Sequence, residues 1–476
     1  MSQTYGHRTG AGLWPEGAPP PFQVAPPPAM AAAPQAVVLH DEPPERNPLK
    51  GVKWSLAFIG LLGFVFAITT YALPIGQASV IVAATGLLTQ KEKVRVPFLL
   101  KMLAIFLLWA IVGYAFTAFP DAVYDSLVNI SKIWIVALVA ANALRTRAQI
   151  RFFHFFYLAC FAFYPVRGAL FNYYIYHETL FGRAIWNWVY SNPNDLAAFC
   201  ILQLSLALAL FYKERWGMLK IGAFLGTFVL PLVILLTKSR GAFIAFAAFV
   251  LLVIAGRKKR VQAIAAVVVT AGVVLMIAPK SSLDRLGGLS KLTGNDEEIR
   301  EVDAEGSAFQ RYTIWKVARA IIADNPVMGV GLGAYRYTHR RYAIRQEFDP
   351  TARGARDTHS TYLNVIAETG FVGFFLYFIA YGTTMMRLEI IRRRCKKDLP
   401  ESAQALYVQE LGVLAFFIAA IFGSVAHVSF LILQVTAVWA FGEVVTAELA
   451  AADAQKRALR GGGGYVPVAR PLPASR

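Results

Sequence analysis

Three cysteines in 476 residues cannot build a disulfide framework. Cys160 and Cys200 sit in apolar runs and Cys395 in a basic stretch, so no C-x-x-C metal knuckle is present either. Charge is scarce: Asp, Glu, Lys and Arg make up 16% of the chain, against about 25% in soluble domains. Acidic residues are scarcer still, 29 against 47 Lys and Arg. Residues 1–50 lack an apolar run long enough for a signal-peptide core. They hold eleven of the 24 prolines and read as a disordered tail, as does the C-terminal "GGGGYVPVARPLPASR".

What fills the rest is apolar. Hydrophobic residues are 57% of the chain, and runs of 18 or more recur, the length that crosses a hydrocarbon core of about 30 Å. The fold class is therefore an all-α polytopic membrane protein. Hydropathy windows place twelve candidate spans, near 54–71, 74–89, 97–119, 124–143, 150–170, 194–212, 219–236, 241–256, 262–279, 360–386, 406–427 and 429–449. With the N-terminus in the cytoplasm, alternate connections read "QKEKVR", "RTRAQIR", "YKERWG", "GRKKR" and "RLEIIRRRCKK". All are basic, as the positive-inside rule requires, and both tails are then cytoplasmic. The expected organisation is a Pro-rich tail over 1–50, nine spans over 51–279, a large exported loop over 280–359, three spans over 360–450 and a second tail over 451–476.

Basic residues on the exported side need another explanation. Lys238 and Arg240 occupy a tight turn between two apolar spans; they are either snorkelling cations at a helix end or an anion site facing the interior. The large loop is acidic from Lys280 to Glu305, seven residues to four, and basic from Arg311 to Arg356, where eight Arg and one Lys face Asp324, Glu347 and Asp349. Single arginines such as Arg340 and Arg341 suit a solvated helix face. As a group they suit an anionic ligand, because guanidinium forks match phosphate oxygens and stay charged. The +18 net charge is mostly topological and otherwise exported, so a phosphorylated lipid fits better than nucleic acid. Arg167 and Arg183 bracket an aromatic connection, "FNYYIYHETLFGRAIWNWVYSNPNDLA", which reads as an interfacial belt or as a platform for sugar rings. The run "NDEEIREVDAE" lacks the alternating spacing of an EF-hand loop and reads as a solvated segment.

His359 stands where the cationic loop meets the apolar span "FFLYFIAYGTTMM". Gly370 and Gly373 follow on one face of an expected helix, about 16 Å along at 1.5 Å per residue, where they allow close packing. The histidine is either an interfacial anchor or a functional group, and its company of arginines favours the second. Glu368, inside the span, is either part of a polar network or bonded to a neighbouring helix.

The chain resembles the O-antigen ligase and O-antigen polymerase superfamily of bacterial inner-membrane glycosyltransferases. "HSTYLNVIAETGFVG" is similar to the family's His-plus-spaced-glycine motif, with Leu376 where a third glycine stands. "SRGAFI" resembles its Arg-x-x-x-Leu motif, with Ile244 for leucine. "SNPNDLA" resembles the Asn-Pro-Asn segment that follows an exported arginine, here Arg183. "RYTIWKVARAIIADNPVMGVGLGAY" is like the family's Arg-plus-Trp helix running into a Pro and Gly-rich turn. Four motifs in order span about residues 180 to 375; the first 170 residues match only in hydropathy.

The resemblance implies a GT-C-type glycosyltransferase architecture of about twelve transmembrane helices, with one large, mainly helical periplasmic loop, in the bacterial inner membrane. It implies transfer of O-antigen from undecaprenyl diphosphate to a hydroxyl of the lipid A-core oligosaccharide, inverting and without metal or cofactor. In that reaction His359 is the general base and Arg240 stabilises the leaving diphosphate. Arg183, Arg311, Lys238, Arg167 and Arg356 would bind diphosphate or glycan, and Asn194, Ser360, Tyr362 and Glu368 would support them. A polymerase or a protein O-oligosaccharyltransferase of the same superfamily is the nearest alternative. From another class, a flippase for an anionic lipid predicts internal symmetry between two halves, which the sequence does not display.

Overall fold

The structure is a computed structural model that describes residues 47–71, 73–215, 217–257, 259–277, 307–345 and 348–460. The expected N-terminal tail up to 46, the acidic stretch 278–306 with "NDEEIREVDAE", Glu347 and the C-terminal residues 461–476 lie outside the described residues.

Fifteen α-helices carry the described chain: α1 (Leu56–Thr70), α2 (Gly76–Thr89), α3 (Phe98–Tyr114), α4 (Pro120–Ala143), α5 (Arg147–Phe161), α6 (Arg167–Phe171), α7 (Pro193–Lys213), α8 (Met218–Leu236), α9 (Arg240–Ala255), α10 (Arg260–Ile277), α11 (Ser307–Asp324), α12 (Tyr335–Arg345), α13 (Thr361–Cys395), α14 (Pro400–Ala419) and α15 (Ser429–Arg460). The described residues form no β-sheet; their only bridge is the isolated pair Leu180 and Arg183. Seven helices are long and apolar enough to cross a membrane: α4, α7, α8, α10, α13, α14 with the turn after it, and α15. The apolar α1, α2, α3 and α9 are shorter. This is an all-α polytopic membrane protein, and each expected span falls on a helix. Apolar composition forces that outcome, because a helix satisfies every backbone polar group within its own segment where no water is present.

Side-chain contacts sort the connections into two ends. At one end the basic connections are stitched together: Arg145 donates to Lys93 O at 2.9 Å, Arg151 pairs with Glu214 at 2.6 Å, Arg147 pairs with Glu448, and Arg387 with Glu443. Tyr407 Oη reaches Leu252 O at 2.9 Å, and the Arg392 guanidinium lies over the Tyr407 ring. At the other end sit the turns after α6, α8 and α14, together with α11 and α12.

Three expectations change. The span over 150–170 does not end there. Past α5 the chain continues through a π turn over Ala162–Val166, α6 and a second π turn over Asn172–Tyr176, so the aromatic connection begins at His177. Pro165 lies inside the first π turn; it has no N–H to give the ladder, which re-registers by one residue instead of stopping. The last helix runs to Arg460, past its expected end at 449, because "AELAAADAQKRALR" is built mostly of strong helix formers.

The third change concerns Gly370. Its φ of 66° and ψ of −176° interrupt α13, a conformation open essentially only to glycine. The turn 326–331 enters the break. Val330 N donates to Ala367 O at 2.9 Å, Gly331 N to Glu368 O at 2.9 Å, and Phe371 N to Pro326 O at 2.8 Å. Trp109 Nε1 donates to Thr369 O at 2.9 Å. Gly370 is thus a break filled by loop backbone, not a packing glycine on a continuous face. Gly373 does pack closely, since an added Cβ would stand 3.3 Å from the Trp109 ring. Irregular backbone inside an apolar helix is tolerated where protein satisfies it, and here the turn before α12 does so.

Candidate functional site

The turn after α8 is held from three sides. Leu180 and Arg183 exchange backbone hydrogen bonds at 3.1 Å, with Phe181 at φ 54° and Gly182 at φ 70° between them. Two successive positive φ values make a type I′ turn, which lies against Lys238: a Cβ on Gly182 would be 3.5 Å from Lys238 Nζ. Ala184 N donates to Leu236 O at 2.9 Å. Arg183 is buried and donates from Nε to Thr237 O and from Nη2 to Asn194 Oδ1, both at 2.8 Å. Asn194 Oδ1 also accepts from Ser239 Oγ at 2.8 Å.

Asn194 therefore ties two helix N-termini together. Asn192 caps α7 through Asn194 N at 2.9 Å, and Ser239 is the N-cap of α9. Each terminus carries a partial positive charge, and Lys238 and Arg240 lie in and beside the second cap. Lys238 is buried with φ 50°, an uncommon backbone for a residue with a side chain. Such strain concentrates at functional sites held by their surroundings. Two joined helix N-termini with cations beside them suit an anion.

His359 stands close by. Arg311 bridges the two regions, since its charge acts on both His359 and Asp195 of α7. The strap from Thr358 to Thr361 is pinned on both flanks. Trp315 Nε1 of α11 donates to Thr358 O at 2.9 Å, Thr358 Oγ1 bonds to Ser360 O at 2.7 Å and to Ser424 Oγ at 3.0 Å, and Thr361 Oγ1 donates to Gly423 O at 2.8 Å. Pinning holds His359 in the left-handed region at φ 50°, which costs a non-glycine residue about 1 to 2 kcal/mol. Neither ring nitrogen makes a hydrogen bond among the described residues. Burial, then the charges of Arg311 and Arg356, push the imidazole pKa down to about 4. The free site thus holds a neutral ring with both nitrogens available.

Of the other expected residues, Arg356 lies on the exposed strap, donating to Arg353 O at 3.2 Å. Ser360 is buried as the N-cap of α13. Tyr362 is tied into the bundle, its hydroxyl on Phe417 O at 3.0 Å and its ring stacked on Phe378. Arg167 is not brought to this group by any described contact; its guanidinium lies over the Phe171 ring at 4.8 Å. Arg341 covers Phe119, and Arg340 is exposed. The buried Glu368, beside the break at Gly370, meets His427 Nε2 at 3.2 Å.

Sequence reasoning left three groups unremarked. Asp195 lies inside a quoted motif and Asp357 two residues before another, but nothing local marks the distant cation each one faces, Arg311 for Asp195 and Arg336 for Asp357. His427 lies in the short link before α15, and its partner is 59 positions away, so no spacing rule reaches it.

Residues 225–378 match the family model described as O-Antigen ligase. That interval contains Lys238, Arg240, Arg311, Arg356, His359 and Glu368; Arg183 and Asn194 lie before it. No curated protein matches the chain. Over that interval the chain thus carries an O-antigen ligase family domain.

Proposed function

We propose, on the premise of that domain, that the chain is an inverting O-antigen ligase of the bacterial inner membrane. It moves polysaccharide from undecaprenyl diphosphate to a sugar hydroxyl of lipid A-core, at a site facing the periplasm. The observation that carries the reading is His359, neutral and free of hydrogen bonds among the described residues, beside Arg311 and near two joined helix N-termini bearing Lys238 and Arg240. The basic connections gather at the opposite end of the bundle, which by the positive-inside rule is the cytoplasmic one.

The acceptor oxygen bonds to the anomeric carbon as the bond from that carbon to the diphosphate oxygen breaks. The electron pair leaves on the diphosphate, and the hydroxyl proton passes to the His359 imidazole. Attack opposite the leaving group inverts the centre. Arg240, Lys238 and Arg311 offset charge developing on the diphosphate, a term usually worth 10²- to 10³-fold per donor. Arg183, with two nitrogens on Thr237 O and Asn194 Oδ1, braces the turn that carries Lys238 and Arg240.

The reading needs no metal or cofactor. Its test is the fate of the glycan in cells lacking the gene, sized separately on the carrier lipid and on lipid A-core. Long polymer stranded on undecaprenyl diphosphate with bare core is the expected result. His359→Ala and Arg240→Ala should fail to restore ligation although both insert normally. Core bearing a single repeat unit would instead show a polymerase, and bare core with glycan trapped on the cytoplasmic leaflet a flippase.

A further inference from the structure

The proposed reaction uses the arginines and His359 but leaves two carboxylates beside them unexplained. Asp195, in the first turn of α7, is half-buried and faces the charges of Arg311 and Asp357. Its Oδ1 lies against Gly423, where an added Cβ would be 3.4 Å away. Gly423 O is the atom that Thr361 Oγ1 holds at 2.8 Å, so Asp195 abuts the turn that pins the histidine strap. Asp357 is two residues before His359. Neither carboxylate accepts a hydrogen bond among the described residues. Near Asp357 stands Tyr335, only 1% exposed, whose hydroxyl has no hydrogen-bond partner among the described residues and faces the charges of Asp357 and Glu368.

An unpartnered polar atom in a buried place costs about 1 to 3 kcal/mol and marks a site that awaits a partner. Carboxylates repel a diphosphate, so this side of the site does not hold the leaving group. They accept hydrogen bonds from hydroxyls, and a tyrosine hydroxyl both donates and accepts. The group that must touch His359 in the proposed reaction is the acceptor hydroxyl, and the hydroxyls next to it belong to the same sugar ring.

We propose that Asp195, Asp357 and Tyr335 form the subsite that grips neighbouring hydroxyls of the acceptor sugar and presents one of them to His359. The site is then divided: helix N-termini, Lys238 and Arg240 on the donor side, carboxylates on the acceptor side, Arg311 between. This rests on the transferase reading above and adds to it which residues choose the acceptor.

The test uses the full chain in lipid nanodiscs. Binding of lipid A-core and of undecaprenyl diphosphate is measured separately by native mass spectrometry, alongside KM for donor and acceptor, for wild type, Asp195→Asn and Asp357→Asn. Each variant is expected to weaken the acceptor roughly tenfold or more, the loss of one hydrogen bond to a charged group, while the affinity for undecaprenyl diphosphate is unchanged. Asp357, on an exposed strap, provides a variant that leaves α7 untouched should Asp195→Asn fold poorly. Acceptor affinity unchanged in the folded variants, or an equal loss for donor and acceptor, overturns the subsite and leaves the carboxylates as charge partners of the protein's own arginines, Arg311 for Asp195 and Arg336 for Asp357. Wild-type protein that transfers no sugar overturns the ligase reading itself, and with it this assignment.

Discussion

Replacing Gly370 by alanine tests the fold where the loop enters α13. The φ of 66° with ψ of −176° costs a side-chain-bearing residue on the order of 1 to 3 kcal/mol. The new Cβ would also fall 1.9 Å from Val327 O and 2.2 Å from Val327 C, both backbone atoms that cannot swing aside. The turn 326–331 must then withdraw, and with it the hydrogen bonds of Val330, Gly331 and Phe371 across the break, each worth about 1 kcal/mol net. The combined cost is about 5 kcal/mol. Expected are a fall in the detergent melting temperature, loss of amide-exchange protection over 326–331 and 367–371, and reduced transfer, because the same turn leads into α12 and Tyr335. Gly382→Ala in the same helix is the control: nothing lies within 4 Å of its added Cβ, and alanine favours helix by up to about 1 kcal/mol. If Gly370→Ala melts and exchanges like Gly382→Ala, the helix is not broken as described.

Other outcomes follow from the same geometry. The free enzyme keeps His359 neutral down to about pH 4, so the acidic limb of kcat/KM for the donor should lie near there; a limb near 6.5 would refute the burial described. Bound diphosphate offsets the arginine charges, so the limb of kcat should lie higher than that of kcat/KM. Between about pH 4 and the ordinary histidine value of 6.5 the unfolded chain binds a proton that the folded chain does not, so the His359 contribution to stability falls as pH drops through that window. Arg240→Lys keeps the charge but loses the planar fork; transfer should drop about tenfold and donor KM rise, whereas an unchanged donor KM would remove Arg240 from the donor side. Arg183→Ala should lower stability by about 2 to 3 kcal/mol through its two hydrogen bonds, visible as earlier melting, which Arg240→Lys should not reproduce. A double-mutant cycle on Glu368→Gln and His427→Ala should give a coupling of about 1 kcal/mol; additive effects would mean that the pair at 3.2 Å does not interact.

The helical scaffold was legible because hydropathy acts locally. A run such as "FVLPLVILLT" has no alternative in lipid but a helix, and basic connections such as "RTRAQIR" mark one end of the bundle whatever their partners are. The ends of helices were harder to read. Pro165 signals a stop in an isolated sequence, yet surrounding packing carries the chain through π turns to Tyr176. Gly370 looks the same as Gly373 in a sequence, and only the arrival of the 326–331 turn makes one a break and the other a packing contact. Arg167 and Arg183 looked equivalent as exported arginines, but Arg183 is bound to Thr237 and Asn194 while Arg167 rests on Phe171.

By itself the sequence determined the class of the protein, the two ends of its bundle, and the residue types that an anionic lipid substrate and a hydroxyl nucleophile require. Those properties are sums over short stretches: apolar length, the sign of a loop, a histidine among arginines. Tertiary structure alone decided which cations share a site, that Asp195 faces Arg311 and Asp357, and that Glu368 meets His427. These pairings join residues many positions apart through turns and helix caps, and no local property of the chain carries that distance.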